Sequence, residues 1–98
     1  MVEEKKQTKG KSVFIVDGSR TPYIRARGIP GPFHAADLAV LAGRSLLARQ
    51  NFEATELDEV ILGSTMPSPD EANIGRVAAL RLGCGDQVPA WTVQRNCA

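Results

Sequence analysis

Two cysteines and one histidine are the side chains of this 98-residue sequence with the clearest capacity for nucleophilic or acid–base chemistry. Cys97 lies in the segment VQRNCA, Cys84 lies between two glycines, and His34 follows a phenylalanine. A cysteine thiolate is a strong nucleophile, and histidine is a common base beside one. Three such residues are too few for a zinc site of the usual four-ligand kind, so we predict no metal site.

The composition is that of an ordinary globular protein or of part of one. Hydrophobic residues make up 43% of the chain, charged residues make up 23%, and the formal net charge is +1. These values argue against a disordered chain and against the clustered basic surface of a nucleic-acid-binding protein. No apolar run approaches the roughly 20 residues that span a bilayer, so we predict no membrane span.

The cysteines also indicate a cellular compartment. The polar first eleven residues, MVEEKKQTKGK, lack the apolar segment of a secretory signal. Because nothing else marks the chain as secreted, we expect free thiols and a cytoplasmic location. Residues 1–11 are therefore predicted to be a polar tail, and residues 12–98 to be the folded part.

The hydrophobic pattern predicts five elements in that folded part. The predicted strands are 13–16, 60–62 and 90–93, and the predicted helices are 35–49 and 73–82. The first strand is apolar on both faces, which is typical of a parallel sheet covered by helices. The order strand, helix, strand, helix, strand favours an α/β fold with parallel crossovers.

The helices are expected to bury one face each. The inward residues predicted for the first helix are Leu38, Leu41, Ala42 and Leu46, and those for the second are Ile74, Val77, Ala78 and Leu82. Asp70 or Asn73 is the expected N-terminal cap of the second helix. Gly83 stands where a left-handed C-terminal cap is common.

The position of Cys97 distinguishes it from the other candidates. Ligands of open α/β sheets gather outside the carboxyl ends of the strands, and Cys97 comes just after the third predicted strand. The loops 19–32 and 64–71 also follow strands. Because domains seldom end at an uncovered strand, we expect the native chain to continue beyond Ala98 into a helix. The N-terminus of such a helix would favour a thiolate.

Several segments in this order resemble the thiolase family. They are RTP at 20–22, the Asp37-Leu38 pair, DEVILG at 58–63, NIGR at 73–76 and VQRNCA at 93–98. The resemblance extends from Val13 to Ala98. It implies the N-terminal part of a thiolase-like α/β fold, β-α-β-α-β with a mainly parallel sheet, truncated. Residues 12–98 would then be a partial thiolase N-terminal domain.

The resemblance also implies an activity. Thiolases are acyltransferases that cleave 3-ketoacyl-CoA with CoA, or condense acetyl-CoA in reverse, through a cysteine thioester. Cys97 matches the nucleophile. CoA and acyl-CoA would be substrates, with no permanently bound cofactor. The family's activating histidine, second cysteine and water-positioning asparagine come later in the chain, and His34 matches none of their motifs. We therefore expect these 98 residues alone to be inactive.

The branch of the family and its partners are predicted by weaker features. PDEANIGR at 69–76 resembles the branch that joins multifunctional subunits of fatty-acid β-oxidation. Gln94 stands where many short-chain biosynthetic thiolases carry asparagine, which favours the degradative branch. Family members form dimers or tetramers, so a homo-oligomer is expected. Cys84 follows a helix in a turn, where a structural or neutral role is expected rather than catalysis.

Two other functions of the same fold remain open from the sequence. One is a ketoacyl-carrier-protein synthase, which also uses a cysteine nucleophile. The other is a non-catalytic lipid-binding or scaffold protein, in which Cys97 would be incidental. A later Gly-His-Pro and Cys-x-Gly would favour the thiolase, and two later histidines without these motifs would favour the synthase.

Overall fold

The computed structural model describes residues 10–25, 28 and 31–97. Its elements in chain order are helix α1 (Ala35–Ala48), strand β1 (Val60–Gly63), helix α2 (Ile74–Arg81) and strand β2 (Ala90–Val93), with 3-10 turns at Ala54–Glu56 and Pro69–Glu71. Both predicted helices and the last two predicted strands are confirmed to within a residue or so. The predicted polar tail lies mostly outside the described residues, since residues 1–9 are not among them.

The sheet in the described part of the chain is a parallel pair. β1 pairs with β2 in a register that runs from Val60 opposite Ala90 to Gly63 opposite Val93. Helix α2 connects the two strands and packs against both of them. The predicted α/β class with a parallel crossover is thus confirmed for β1, α2 and β2.

The predicted strand at Val13–Val16 is wrong for the described residues. The segment has no strand pairing, and its four apolar side chains are largely exposed. Its sequence has strand propensity, but a strand also needs a neighbouring edge that satisfies its backbone hydrogen bonds. The following residue, Asp17, instead holds the segment to the end of α1. Its carboxylate accepts hydrogen bonds from Arg49 at 3.2 Å and from Gln50 at 2.7 Å.

The buried face of α1 differs from the predicted one. Ala36 and Val40 are buried, whereas Leu38 and Leu41 are exposed by 38% and 48%. Small residues let α1 approach α2 closely, and the larger leucines face a groove beside residues 19–24. In α2, the predicted burial of Ile74 and Ala78 is confirmed. The helix also buries Gly75 and Ala79, while Val77 and Leu82 are half-buried.

A glycine cap turns the chain from α2 into the core. Gly83 has a φ of 85° and donates its N–H to the Leu80 carbonyl, and Cys84 donates to the Ala79 carbonyl at 3.0 Å. This pair of bonds is a Schellman motif, so the predicted left-handed cap is confirmed. The turn places Cys84 in a cluster with Ala79 and Val88.

The two helices are tied by one carboxylate at the start of α1. Asp37 accepts the backbone N–H of His34 at 2.9 Å and the guanidinium of Arg81 at 3.0 Å. Both bonds favour the ionised carboxylate, and together they lower the pKa of Asp37, with the His34 bond the larger cause. This carboxylate therefore caps α1 and binds the last turn of α2 with the same group. Among the described helices, none is long and apolar enough to cross a bilayer.

Candidate active site

The carboxyl ends of the two strands form the edge where the sequence predicts a ligand site. The last paired residues are Gly63 and Val93, and Ser64 extends the ladder by donating its N–H to the Val93 carbonyl at 3.1 Å. A cavity of about 220 Å³ opens just beyond them. It is lined by Gly63, Ser64, Thr65, Val93, Arg95 and Asn96. The edge is therefore concave, with polar and apolar groups in its lining.

Cys97 lies in a turn immediately after this cavity lining. It is an exposed, free cysteine. The preceding residue, Asn96, has a φ of 51°, a left-handed conformation that few residues other than glycine and asparagine adopt. The turn thus begins soon after the end of β2, and it leaves the Cys97 side chain exposed.

Cys84 has the opposite environment. It is 1% exposed, and burial raises the pKa of its thiol. Desolvation disfavours the charged thiolate, which is the nucleophilic form. Of the two cysteines, only Cys97 therefore has an exposed side chain. The structural role predicted for Cys84 is consistent with its burial.

Gln94 connects the turn to the loop after β1. Its side-chain amide donates a hydrogen bond of 2.7 Å to the backbone carbonyl of Thr65. The sequence drew attention to Gln94 only as a difference from related proteins, and it gave Thr65 no role. The position of this polar residue just after a strand indicated that its side chain could make a hydrogen bond. The sequence did not indicate that the acceptor would be the Thr65 carbonyl.

A second network holds β2 against the start of α2. Thr92 donates its hydroxyl to Asn73 Oδ1 at 2.8 Å and accepts the Gly75 backbone N–H at 2.9 Å. Asn73 Oδ1 also accepts the Arg76 N–H at 3.3 Å, so Asn73 is the cap of α2, as predicted. These bonds fix β2 two residues before Gln94. Sequence reasoning missed Thr92 and Gly75, although a glycine in the first turn of a helix signals a close approach.

The other charged candidates lie away from this edge. His34 precedes α1, where its backbone contacts Asp37. Arg20 lies 5.6 Å from the ring centroid of Tyr23 and has no acidic partner among the described residues. Arg76 donates to the Val88 carbonyl. Within the described ranges, no group of three or more potential metal ligands occurs.

The loop that begins at residue 19, which was expected at the same edge as Cys97, lies beside α1 instead. Residues 19–24 lie along α1, where they line a cavity of about 380 Å³ with apolar walls. Because the first predicted strand is not formed, this loop has no strand end to follow. The expectation that this loop lies at the same edge as Cys97 is therefore wrong for residues 19–24. The loops after β1 and β2 do meet.

The fold and the site together define a parallel α/β unit that presents an exposed thiol at the carboxyl edge of its sheet. The family model described as "Thiolase, N-terminal domain" matches residues 13–98. Since this match covers most of the chain, the chain belongs to the thiolase family.

Similar proteins carry thiolase names. The chain is 33% identical over 95% of its length to a 3-ketoacyl-CoA thiolase of Pseudoalteromonas translucida, of which it covers 21%. It is 37% identical over 90% of its length to a beta-ketoadipyl-CoA thiolase of Pseudomonas knackmussii, and 32% identical over 89% to the mitochondrial 3-ketoacyl-CoA thiolase of Homo sapiens, covering 22% of each. The chain thus spans about a fifth of the length of these curated relatives.

Proposed function

We propose that this chain is the nucleophile-bearing part of an acyl-CoA acyltransferase that cleaves 3-ketoacyl-CoA with CoA, or runs the reverse condensation. The observation that carries the proposal is the exposed Cys97 at the carboxyl edge of the parallel sheet, within the thiolase match. The relatives named 3-ketoacyl-CoA thiolase support the reaction type. A synthase or a non-catalytic scaffold has no comparable support.

The proposed reaction has two half-steps. The Cys97 thiolate attacks the 3-keto carbon, and the bond between C2 and C3 breaks, so that the electron pair leaves on the acetyl-CoA carbon and takes up a proton. The acyl group is then a thioester on Cys97. In the second half-step the thiol of CoA loses its proton and attacks that thioester, which releases acyl-CoA and restores the cysteine. Covalent catalysis of this kind divides one difficult step into two easier ones.

The proton transfers need groups beyond those that the described residues bring to the edge. His34 is the sole histidine of the sequence, and it precedes α1 rather than following a strand of the sheet. We therefore propose that a base and an acid elsewhere in a thiolase-length protein complete the site, and that the 98 residues alone do not turn over. A nucleophile without its base and oxyanion donors loses most of its rate advantage.

The substrates, the assembly and the location of the protein are further parts of the proposal. Acyl-CoA and CoA would be substrates, and no resident cofactor or metal would be needed. A homo-oligomer in the cytoplasm, a dimer or a tetramer, is the proposed assembly, and association with a multifunctional β-oxidation subunit is proposed from the segment 69–76. The names of the relatives support CoA thioesters as the substrate class.

The test compares alanine variants of the two cysteines in the thiolase-length protein that contains this chain. We expect Cys97→Ala to lower kcat for thiolysis by about a thousandfold or more, because loss of a covalent nucleophile removes the chemical path. Cys84→Ala is the matched control, and it should retain activity within a few-fold. Full activity of Cys97→Ala would overturn the proposal.

A further inference from the structure

We infer that Gln94 is a positioning residue for Cys97, acting through its hydrogen bond to the Thr65 carbonyl. The inference rests on the proposed function, because it concerns the placement of the proposed nucleophile. Gln94 is three residues before Cys97, and its side-chain amide donates a hydrogen bond of 2.7 Å to the Thr65 carbonyl. The residue is thus one that acts through the turn rather than on the substrate.

The bond lies where the sheet no longer holds the chain. Strand pairing ends at Gly63 and Val93, and the Ser64 N–H makes the last backbone bond between the two segments. Beyond that point residues of both loops line the cavity of about 220 Å³. The Gln94 amide makes a further cross-link there, so it fixes the path of the turn relative to the loop after β1.

The upstream end of the same stretch is held independently. Thr92 is bonded to Asn73 and Gly75 at the start of α2, and it is two residues before Gln94. The segment from Thr92 to Gln94 is therefore held at both ends, by a helix on one side and a loop on the other. The left-handed residue Asn96 then turns the chain at Cys97. Because the hydrogen bond to Thr65 holds Gln94 in place, it also fixes the position at which that turn begins.

The length of the Gln94 side chain determines whether its amide reaches the Thr65 carbonyl. At 2.7 Å, the bond from Gln94 is short and well formed. Asparagine would keep the amide donor but would be shorter by one methylene, about 1.5 Å, and so could not reach Thr65 without a backbone shift. Gln94 is also exposed, so its removal opens no core cavity. A loss of function on substitution would therefore report on positioning rather than on packing.

The experiment measures formation of the acyl thioester on Cys97 in the thiolase-length protein, by rapid quench with a 3-ketoacyl-CoA. The variants are Gln94→Met, which has similar length but no donor, and Gln94→Asn, which has the donor but is short. Gln87→Met is the matched control, since Gln87 is exposed and its amide donates to the side chain of the adjacent Asp86. Thermal melts and KM are recorded for each protein.

We expect both Gln94 variants to slow acylation by roughly two- to tenfold, the range that one net hydrogen bond provides. KM and the melting temperature should stay unchanged, and Gln87→Met should acylate like the wild type. Wild-type acylation rates in both Gln94 variants would overturn the positioning role while leaving the proposed function intact. A lower melting temperature in the variants that acylate more slowly would also overturn it, because the slower rate would then be a purely structural effect. If the unsubstituted protein forms no adduct on Cys97, the proposed function fails, and this inference fails with it.

Discussion

At the scale of single residues, the two cysteines differ by environment rather than by chemistry. Cys84 is packed among Ala79 and Val88, whereas Cys97 lies exposed in the turn after β2. Burial raises the pKa of the Cys84 thiol, so that less thiolate forms at a given pH. The same side chain therefore contributes to packing at one position and is available for reaction at the other.

This contrast predicts the order of thiol modification. With a limiting alkylating agent at neutral pH, Cys97 should be modified well before Cys84, by about tenfold or more in rate, because reaction needs both access and thiolate. Peptide mapping by mass spectrometry after timed quenches measures the two rates. Equal rates, or faster labelling of Cys84, would contradict the assigned environments.

The contrast also predicts different effects on stability. Cys84→Ser places a hydroxyl in an apolar cluster and should lower the free energy of unfolding by about 1–3 kcal/mol. Cys97→Ser lies in an exposed turn, so we expect a change below about 0.5 kcal/mol. Urea unfolding followed by circular dichroism measures both. A larger loss for Cys97→Ser than for Cys84→Ser would contradict the burial of Cys84 and the exposure of Cys97.

At the scale of elements, the contact between α2 and β2 depends on a residue without a side chain. A Cβ atom at Gly75 would lie 2.3 Å from the Trp91 carbonyl oxygen, a backbone atom that cannot move without displacing the strand. The absence of that atom lets the Gly75 N–H reach Thr92. The closeness of this helix to this strand is thus set by one glycine, and the strand in turn leads to the candidate nucleophile.

Gly75→Ala should therefore destabilise the protein by about 1–3 kcal/mol or more, the cost of overpacking a close contact. Gly18→Ala is the control, because nothing lies within 4 Å of a Cβ at that position. Its effect should stay within about 0.5 kcal/mol. Chemical denaturation of the two variants in parallel makes the comparison. An unchanged midpoint for Gly75→Ala would refute the close approach of α2 to β2.

The carboxylate that links α1 to α2 predicts a pH dependence. The pKa of Asp37 is lowered in the folded protein from an ordinary value near 3.8, first by the His34 bond and then by Arg81. A lowered folded-state pKa stabilises the fold above the ordinary value, and this contribution is lost as the pH falls through the folded-state value. The free energy of unfolding should therefore decline as the pH drops below about 4.

In Asp37→Asn this part of the decline should be absent, so its unfolding curve should vary less with pH in that window. Asp86→Asn serves as the comparison, since Asp86 lies in an exposed turn and contacts the side chain of its neighbour Gln87. Denaturation midpoints between pH 2.5 and pH 6 would be measured for all three proteins, a window of roughly one to two units on each side of the carboxyl range. An identical pH slope in Asp37→Asn and the wild type would contradict the assigned bonds.

At the scale of the whole molecule, the spacing of apolar residues predicted those helices and strands whose bounds depend on nearby residues in the sequence. The bounds of α1, α2, β1 and β2 follow from apolar spacing, from the Asn73 cap and from the Gly83 turn. The strand expected at 13–16 did not follow, because pairing depends on a neighbouring edge that a local pattern does not describe. The buried face of α1 was misassigned because close packing selected small residues over leucines.

The sequence predicted the position of the candidate site but not the long-range contacts around it. The position of Cys97 beyond a parallel strand was evident from element order, and the family match agrees with the segment that contains it. The cross-link from Gln94 to Thr65 was not evident, because it joins side chain and backbone across 29 residues of sequence. Long-range polar contacts of this kind are fixed by the meeting of two loops, which only the assembled sheet defines.

The proposed function requires that Cys97 carry an acyl group during turnover. The most direct measurement is to mix the thiolase-length protein containing this chain with a 3-ketoacyl-CoA, quench with acid within the first turnovers, and map the modified peptide by mass spectrometry. We predict the mass of one acyl group on the peptide that contains Cys97 and none on the peptide that contains Cys84. Turnover with no acyl group on Cys97, or with the acyl group on another residue, would contradict the account.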